Sequence, residues 1–541
     1  MSASSKKKLR KAEQAEKLTE KQLAEQKEAK KLKIYTSVFV VVLAVMICFA
    51  AVTGVIKTIE GKGIREKNTV ALTLNETELN NAELNYYYVD SVYNFFNNYG
   101  DYIYLLGIDP SVALDQQILD EETGETWADS FVTTAVQNAT GVYALNQAAK
   151  EAGFTLSETD LAQIESDIDT MEMYAVLSYG YPTLEDYLKA MYGRGASEEG
   201  YREYYTMGYT AEAFQTYYAE NLSYEDADLR EAEADNYDQY SSYSYNYYFL
   251  NASTLVEKDE SGNYTDEQYA AAVAKAEEYA KALTTNPTPE AFDAAIAALP
   301  MNAEVEGAAS VSNEDIMYSS VNSTFADWVT SAWRKSGDMT VIPGESTTVD
   351  ENGNESTKIN GYYIVLFNSK NDNNVAMNNV RHILVAFEGG TLDEDGHKIY
   401  SAADKNAAKL EAEKLLANWK SGEATEESFA ALANEKSDDG DGTTGGLYEN
   451  ITYKSSYVEN FLNWTLEPHN PGDTGIIETE YGYHVMFYSG KSDLTYRDYM
   501  IKNDLITADM DSWYSALVEA VTATVKETKY MSTDIVLSTG N

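Results

Sequence analysis

The sequence predicts an α+β multidomain protein. A membrane-spanning helix lies near the N-terminus, a helical region is completed by the C-terminal tail, and two related α+β domains lie between them. Three observations predict it. Ile34–Ile56 is a charge-free run of 23 residues. The stretches before residue 238 and after residue 495 show apolar residues at helical spacing. Between them, strand-like and helix-like segments occur twice in the same order. At 541 residues the chain is also too long for a single core.

The membrane segment comes first. Residues 1–33 hold eleven Lys/Arg against five Glu, a net of +6, while the whole chain carries −48, leaving about −54 for the rest. The run "IYTSVFVVVLAVMICFAAVTGVI" is long enough to cross ~30 Å of hydrocarbon. Its bland alternative is a buried helix of a large soluble core. The clustered Lys and Arg place residues 1–33 in the cytoplasm and the body outside, as a single-pass cell-membrane protein. The basic region is longer than that of a signal peptide, which favours an uncleaved anchor, although "CFAAVTG" offers a small-residue cleavage site. The single cysteine, Cys48, lies inside the run, so a disulfide scaffold is excluded for the exported part. Ile47 precedes it where a lipid-attachment motif needs a small residue. The acidic exterior argues against nucleic acid as a partner. It suits solubility near a surface, cations, or basic client segments.

Residues 69–238 form the helical region. Val70–Leu74 alternates as a short strand, and a helix with aromatic residues on one face starts near Asn81. In "TGETWADSF", Thr126 is placed as an N-cap, and Gly153 closes that helix. Ser157 and Asp160 have near-capping-box spacing, and "TLEDYLKAMYG" and "SEEGYREYY" begin further helices. Thirteen tyrosines between Tyr201 and Tyr248 read as helix-packing residues, with an adaptable peptide-binding surface as the alternative for a share of them. The tail 495–541 returns to helix and ends in a strand-like "STDIVL". It has too few apolar residues to stand alone, so it is expected to pack back on 69–238, with its last strand near Val70–Leu74.

The duplication defines two domains, 239–370 and 376–491. "YNYYFL", "AAAVAKAEEYAKAL", "PEAFDAAIAALP", "STFADW", "SGDMTVIPGE" and "NGYYIVLF" match "VRHILV", "AADKNAAKLEAEKLL", "EESFAALANEKS", "YVENFLNW", "PGDTGIIETE" and "YGYHVMFY". Tyr247 to Phe292 is 45 residues, against 47 from His382 to Phe429. Phe292 to Phe325 is 33, against 32 from Phe429 to Phe461. Each copy reads β–helix–helix–loop–helix–β–β, one α+β domain. The first copy has an extra polar stretch whose "ENGN" reads as a hairpin turn.

The copies differ where chemistry would be. The chain has four histidines, and two of them, His382 and His484, fall in the first and last strands of the second copy. Tyr247 and Tyr363 stand opposite them in the first, and Asn302 falls loosely opposite Asp439. A lone buried histidine is more often a core residue than a catalyst. A pair lost together in a sister copy points to function. Asp438, Asp439 and Asp441 lack the spacing and the terminal Glu of an EF-hand loop. There is no HxxxH or HExxH, no GxSxG, no candidate nucleophilic Cys and no phosphate-cradling loop, so neither metal nor cofactor is expected.

On "RHILV", "SFAALANEKSDD", the Gly445–Gly446 pair, "FLNW", "PGDTG" and "ETEYGYHVMFY", residues 380–488 resemble a parvulin-type peptidyl-prolyl isomerase domain. The layout, with a degenerate first parvulin-like copy, a chaperone-like helical region and a returning tail, resembles the PrsA/SurA-type extracytoplasmic foldases. The resemblance implies that His382 and His484 are the paired histidines of the site. Asp439 would take the position held by Cys or Asp. Phe461 and Tyr457 would line the proline pocket, and Thr479 would join the polar network beside His484. Tyr457 stands where many parvulins have Met, and the usual "GGDLG" is here "GGLYE". No basic cluster appears in "FEGGTLDEDGHK", which argues against phospho-Ser/Thr-Pro specificity. The function implied is a membrane-anchored foldase that binds unfolded or nascent exported polypeptides and isomerises X–Pro bonds, with a homodimer left open. A catalytically inert holdase is the alternative, and a structural surface protein a third.

Overall fold

The computed structural model describes residues 63–536, apart from 259–260, 350–354, 393–397 and 441–443. The expected membrane run, the basic segment before it and Cys48 lie outside the described residues, as do Asp441 and the "ENGN" turn. Among the described residues no helix is long and apolar enough to cross a membrane. The chain divides into two compact units, one of residues 224–504 and the other ending at 223 and resuming at 505.

The helical unit is built on β1 (Val70–Leu74), β2 (Thr77–Asn80), α1 (Asn81–Tyr99), α2 (Trp127–Ala152), α3 (Glu158–Met173), α4 (Leu184–Tyr192) and α5 (Glu198–Glu220). Asn80, Thr126 and Ser157 close capping boxes with Glu83, Asp129 and Asp160, which satisfies helix-start amides from within the sequence. Tyrosines fill the core: Tyr86, Tyr88, Tyr187 and Tyr201 are buried, and the rings of Tyr86 and Tyr204 stack at 5.2 Å. Asp90 accepts from Tyr192 and Tyr204, and burial pushes its carboxyl up to about 6. Of the thirteen tyrosines between 201 and 248, only Tyr217 and Tyr237 are about half exposed, so packing is their main role.

The tail corrects one expectation. A strand does pair with β1, but it is Ala523–Val525, with Leu72 opposite Val525, and "STDIVL" is irregular through residue 536. Side chains of α1 hold that later stretch instead. Ser532 N donates to Asn85 Oδ1, Tyr88 OH donates to the Thr533 carbonyl, and Ile535 packs on the core.

The second unit holds both α+β domains. The first comprises β3 (Ser242–Asn251), α6 (Asp266–Leu283), α7 (Pro289–Ala297), β4 (Val311–Met317), α8 (Ala326–Val329), β5 (Met339–Val349) and β6 (Glu355–Asn371). The second repeats it as β7 (Ala376–Ala386), α9 (Ala402–Ser421), α10 (Glu426–Lys436), β8 (Leu447–Ile451), α11 (Glu459–Leu466), β9 (Thr474–Glu478) and β10 (Gly482–Thr495). The strand orders are the same, β4-β3-β6-β5 and β8-β7-β10-β9. The segment expected to be only loop thus contains a strand in each copy. It is too short and polar to signal itself, and it exists by pairing with its neighbour.

Helical structure continues through Asp226–Asp235 and Tyr237–Tyr240, near the expected end at 238, but these residues and the start of the tail helix belong to the second unit. Arg497, in the helix Tyr496–Glu519, is buried and gathers this corner. It pairs with Glu233 and donates to the Tyr237 carbonyl at 2.7 Å and the Asp372 carbonyl at 3.1 Å.

Candidate functional site

The sheet of the second domain has two covered faces. Ile383, Val485 and Phe487 pack with α9 and α10 through Leu415, Trp419 and Phe429. The alternate residues Val380, Met486 and Tyr488 face the other way, toward Tyr457 and Phe461. His382 and His484 lie on this second face. β7 and β10 are neighbours, with His382 opposite Met486 and His484 opposite Leu384, so the two histidines sit diagonally across the pair.

Their rings meet. His382 Nδ1 and His484 Nδ1 are 3.0 Å apart, both residues are buried, and Thr479 Oγ1 lies 2.8 Å from His484 Nε2. On the far side His382 Nε2 lies 2.9 Å from Asp439 Oδ2, whose side chain is 36% exposed. Tyr448 OH donates to the same carboxylate oxygen. The network therefore runs from a solvent-facing carboxylate to a buried hydroxyl.

Local structure explains how Asp439 arrives there. α10 ends at Lys436, and "SDD" then runs along the edge of β7. Ser437 Oγ accepts from Leu384 N at 3.1 Å, Asp438 N donates to the Leu384 carbonyl, and Asp438 Oδ2 accepts from Ala386 N at 2.9 Å. Ser437 and Asp438 are thus occupied by backbone, which leaves Asp439 to His382. The glycine pair is equally constrained. A Cβ on Gly446, at φ +65, would stand 2.1 Å from the His382 carbonyl oxygen, and His382 N donates to the Gly446 carbonyl at 2.9 Å. Arg381 pins the same turn through the Gly445 carbonyl while pairing with Glu426 at 2.9 Å.

The electrostatics give the network a direction. Burial, with the charge of His382 adding to it, lowers His484 to about 3, so it is neutral at physiological pH. Burial pushes Asp439 up, but hydrogen bonding and charge from His382, with the Tyr448 hydroxyl, more than offset this and hold it below the usual carboxylate range. An ionised Asp439 only accepts, so His382 donates from Nε2. In the neutral form its Nδ1 then accepts from His484 Nδ1–H, and His484 Nε2 accepts from the Thr479 hydroxyl. Thr479 Oγ1 in turn accepts from Tyr481 N at 3.2 Å.

Aromatic rings roof the pair. Phe461 stands edge-to-face to His382 at 5.3 Å and to His484 at 5.8 Å, and Tyr457 packs on Phe461 at 5.0 Å. The structure thus brings together His382, His484, Asp439, Thr479, Phe461 and Tyr457. Sequence reasoning missed Tyr448, whose ring lies 4.7 Å from His382. Its signal was faint: it follows the Gly pair in a segment read as loop, and only the pairing of β8 with β7 sets it beside the site.

The first copy shows the same frame without the chemistry. Tyr247 lies opposite Val365 and Phe249 opposite Tyr363, the register that His382–Met486 and Leu384–His484 take in the second. Tyr247 and Tyr363 contact Phe325 at 5.4 and 5.6 Å. Asn302 does not stand in for Asp439. It donates to Tyr248 OH and the Ile296 carbonyl, on the sheet face away from Tyr247.

Residues 362–491 match the family model of the PPIC-type PPIASE domain, a match that begins in β6 of the first copy. Among curated proteins none matches. Solved structures with partial similarity include peptidylprolyl isomerase PrsA from Bacillus anthracis: 18% identity over 28% of this chain and 59% of that one, TM-score 0.16. Another comes from work on PEB4 and Cj1289, two SurA-like chaperones of Campylobacter jejuni: 20% identity over 27% of this chain and 51% of that one, TM-score 0.16. PrsA from Bacillus subtilis is 12% identical over 77% of this chain and 98% of that one, with a TM-score of 0.25. The chain thus spans between half and three fifths of the length of the first two. Over residues 362–491, less than half of its length, this chain is thus similar to the PPIC-type PPIASE domain.

Proposed function

We propose that this chain is a membrane-anchored extracytoplasmic foldase that binds unfolded exported polypeptides and isomerises their X–Pro bonds through residues 376–491. The carrying observation is the unbroken network Asp439–His382–His484–Thr479 beneath Phe461, inside a PPIC-type domain.

The chemistry asked of such a site is modest. The C–N bond must lose its partial double-bond character against a barrier of ~18–20 kcal/mol, and no nucleophile or cofactor is required. Phe461 and Tyr457 offer an apolar seat for the pyrrolidine ring and exclude water from the bond. The buried, mutually hydrogen-bonded imidazoles present fixed dipoles that cannot reorganise with the substrate, so they favour the twisted amide over the planar one.

The anchor and the clients rest on other observations. The charge-free run Ile34–Ile56 behind a basic segment supports a single-pass anchor with the body outside. In the helical unit Tyr102, Leu105 and Leu177 are 69%, 80% and 78% exposed, which supports holding of unfolded segments there. Full-length protein in detergent is expected to accelerate cis–trans exchange of a proline peptide and to suppress aggregation of an unfolded client. Suppression with no rate above background would leave a holdase. Release of the chain from membranes by alkaline carbonate would remove the anchor.

A further inference from the structure

The two sheets share a strained detail as well as their strand order. β4 and β8 each bulge, and each bulge holds one residue in the left-handed region, Asp315 at φ 54 and Asn450 at φ 57. Their surroundings correspond. Asp315 N donates to Ser244 Oγ at 3.0 Å and Asn450 N to Asn379 Oδ1 at 2.9 Å. Asn371 reaches Asp315 Oδ1 at 3.3 Å as Ser492 reaches Asn450 Oδ1 at 2.7 Å.

One copy has been retooled. Asn450 is neutral and bonds Ser492 of its own domain. Asp315 is an acid, and it takes partners from the second domain. Lys454 Nζ lies 2.6 Å from Asp315 Oδ2 and donates to Ser242 Oγ and the Asp315 carbonyl, each at 3.0 Å. Tyr453 OH donates to Asp315 Oδ2 at 2.8 Å and accepts from Asn371. The Lys454 side chain is only 13% exposed, so removing its partner strands a charge that water reaches poorly.

Lys454 and Tyr453 belong to a tight turn in which Thr452 N donates to Ser455 Oγ and Ser455 N to the Thr452 carbonyl. This turn joins β8, which bears Tyr448, to Tyr457 and α11, which bears Phe461. The aromatic wall of the candidate site therefore hangs on a turn whose side chains are anchored in the neighbouring domain. We propose that Asp315 and Lys454 are positioning residues, through which the first copy holds the pocket wall of the second in its working place. The proposal rests on the isomerase reading, and it assigns the silent copy a task other than catalysis.

The test uses full-length Asp315→Asn and Lys454→Met. The first keeps the left-handed backbone, as Asn450 does in the sister copy, and the second keeps the aliphatic stem. Each is expected to raise KM for a proline peptide about 3- to 10-fold, with kcat held within about two-fold. The double variant should be no worse than either single one. Amide hydrogen exchange over 452–458 should quicken in both. Unchanged exchange there in both variants, or an unchanged KM in both, overturns the brace. A wild-type chain without isomerase activity overturns the functional reading instead, and exchange over 452–458 then decides the brace alone.

Discussion

Tyr247, Tyr363 and Phe325 in the first α+β domain occupy the frame that His382, His484 and Phe461 occupy in the second. The ring separations onto the shared phenylalanine are nearly equal: 5.4 and 5.6 Å in one, 5.3 and 5.8 Å in the other. A fold that accepts tyrosine at both positions does not need histidine for packing. What the second copy adds is a proton-ordered chain. It has two imidazoles back to back, a hydroxyl at one end and a carboxylate at the other. In the first copy Asn302 turns to Tyr248 instead. The contrast separates what holds the domain together from what is available for chemistry.

The comparison is broken most directly by writing the first copy's residues into the second. His382→Tyr with His484→Tyr is expected to leave the circular dichroism of the full chain unchanged while isomerase kcat/KM falls about 100-fold or more. An unfolded domain would make the histidines structural. Retained activity would remove them from the site. Asp439→Asn keeps the shape and removes the charged acceptor for His382. A roughly 10- to 100-fold loss is expected, the size of a hydrogen bond to a charged group.

The next effect is one of stability. His484 is lowered to about 3 in the folded chain and titrates near 6.5 when unfolded. Between those values the unfolded state binds the extra proton, so the second domain loses stability as pH falls from 6.5 toward 3 and gains none above 6.5. By pH 5 the loss is about 2 kcal/mol, seen as faster amide exchange in β7 and β10. The double tyrosine variant should lack this slope between pH 7 and 5. Tyr448→Phe, which removes one hydroxyl from Asp439, should cost roughly 3-fold in kcat/KM. At the small end, Tyr247→His with Tyr363→His should create no isomerase activity in a His382→Tyr, His484→Tyr background. Activity appearing there would show that the carboxylate is dispensable.

Much of this protein was legible in its sequence because it is encoded locally. Capping boxes at Asn80, Thr126 and Ser157 need only residues three apart, and the helices begin where those residues stand. The duplication was readable as spacing, and the strand registers set Tyr247 and Tyr363 where the spacing had put them, opposite His382 and His484. Asp439 was recognisable as a candidate by resemblance, but its arrival at His382 depends on Ser437 and Asp438 zipping along β7.

Tertiary structure decided what no local pattern carries. β8 exists because β7 offers it an edge, and that pairing alone sets Tyr448 beside His382. The tail strand fell at Ala523–Val525, while residues 532–536 of "STDIVL" are irregular. Asn85 and Tyr88 of α1 bind the later residues by side chain, whereas β1 presents free backbone to the earlier ones. Asp315 is one acid among 88 acidic residues in sequence. Only a bulge, a left-handed backbone and a lysine from the neighbouring domain make it particular. Composition and short-range spacing determine which segments are helix, strand and repeat. Partners far apart in the chain, chosen by burial and hydrogen-bond geometry, determine which of the many carboxylates and tyrosines meet the histidines.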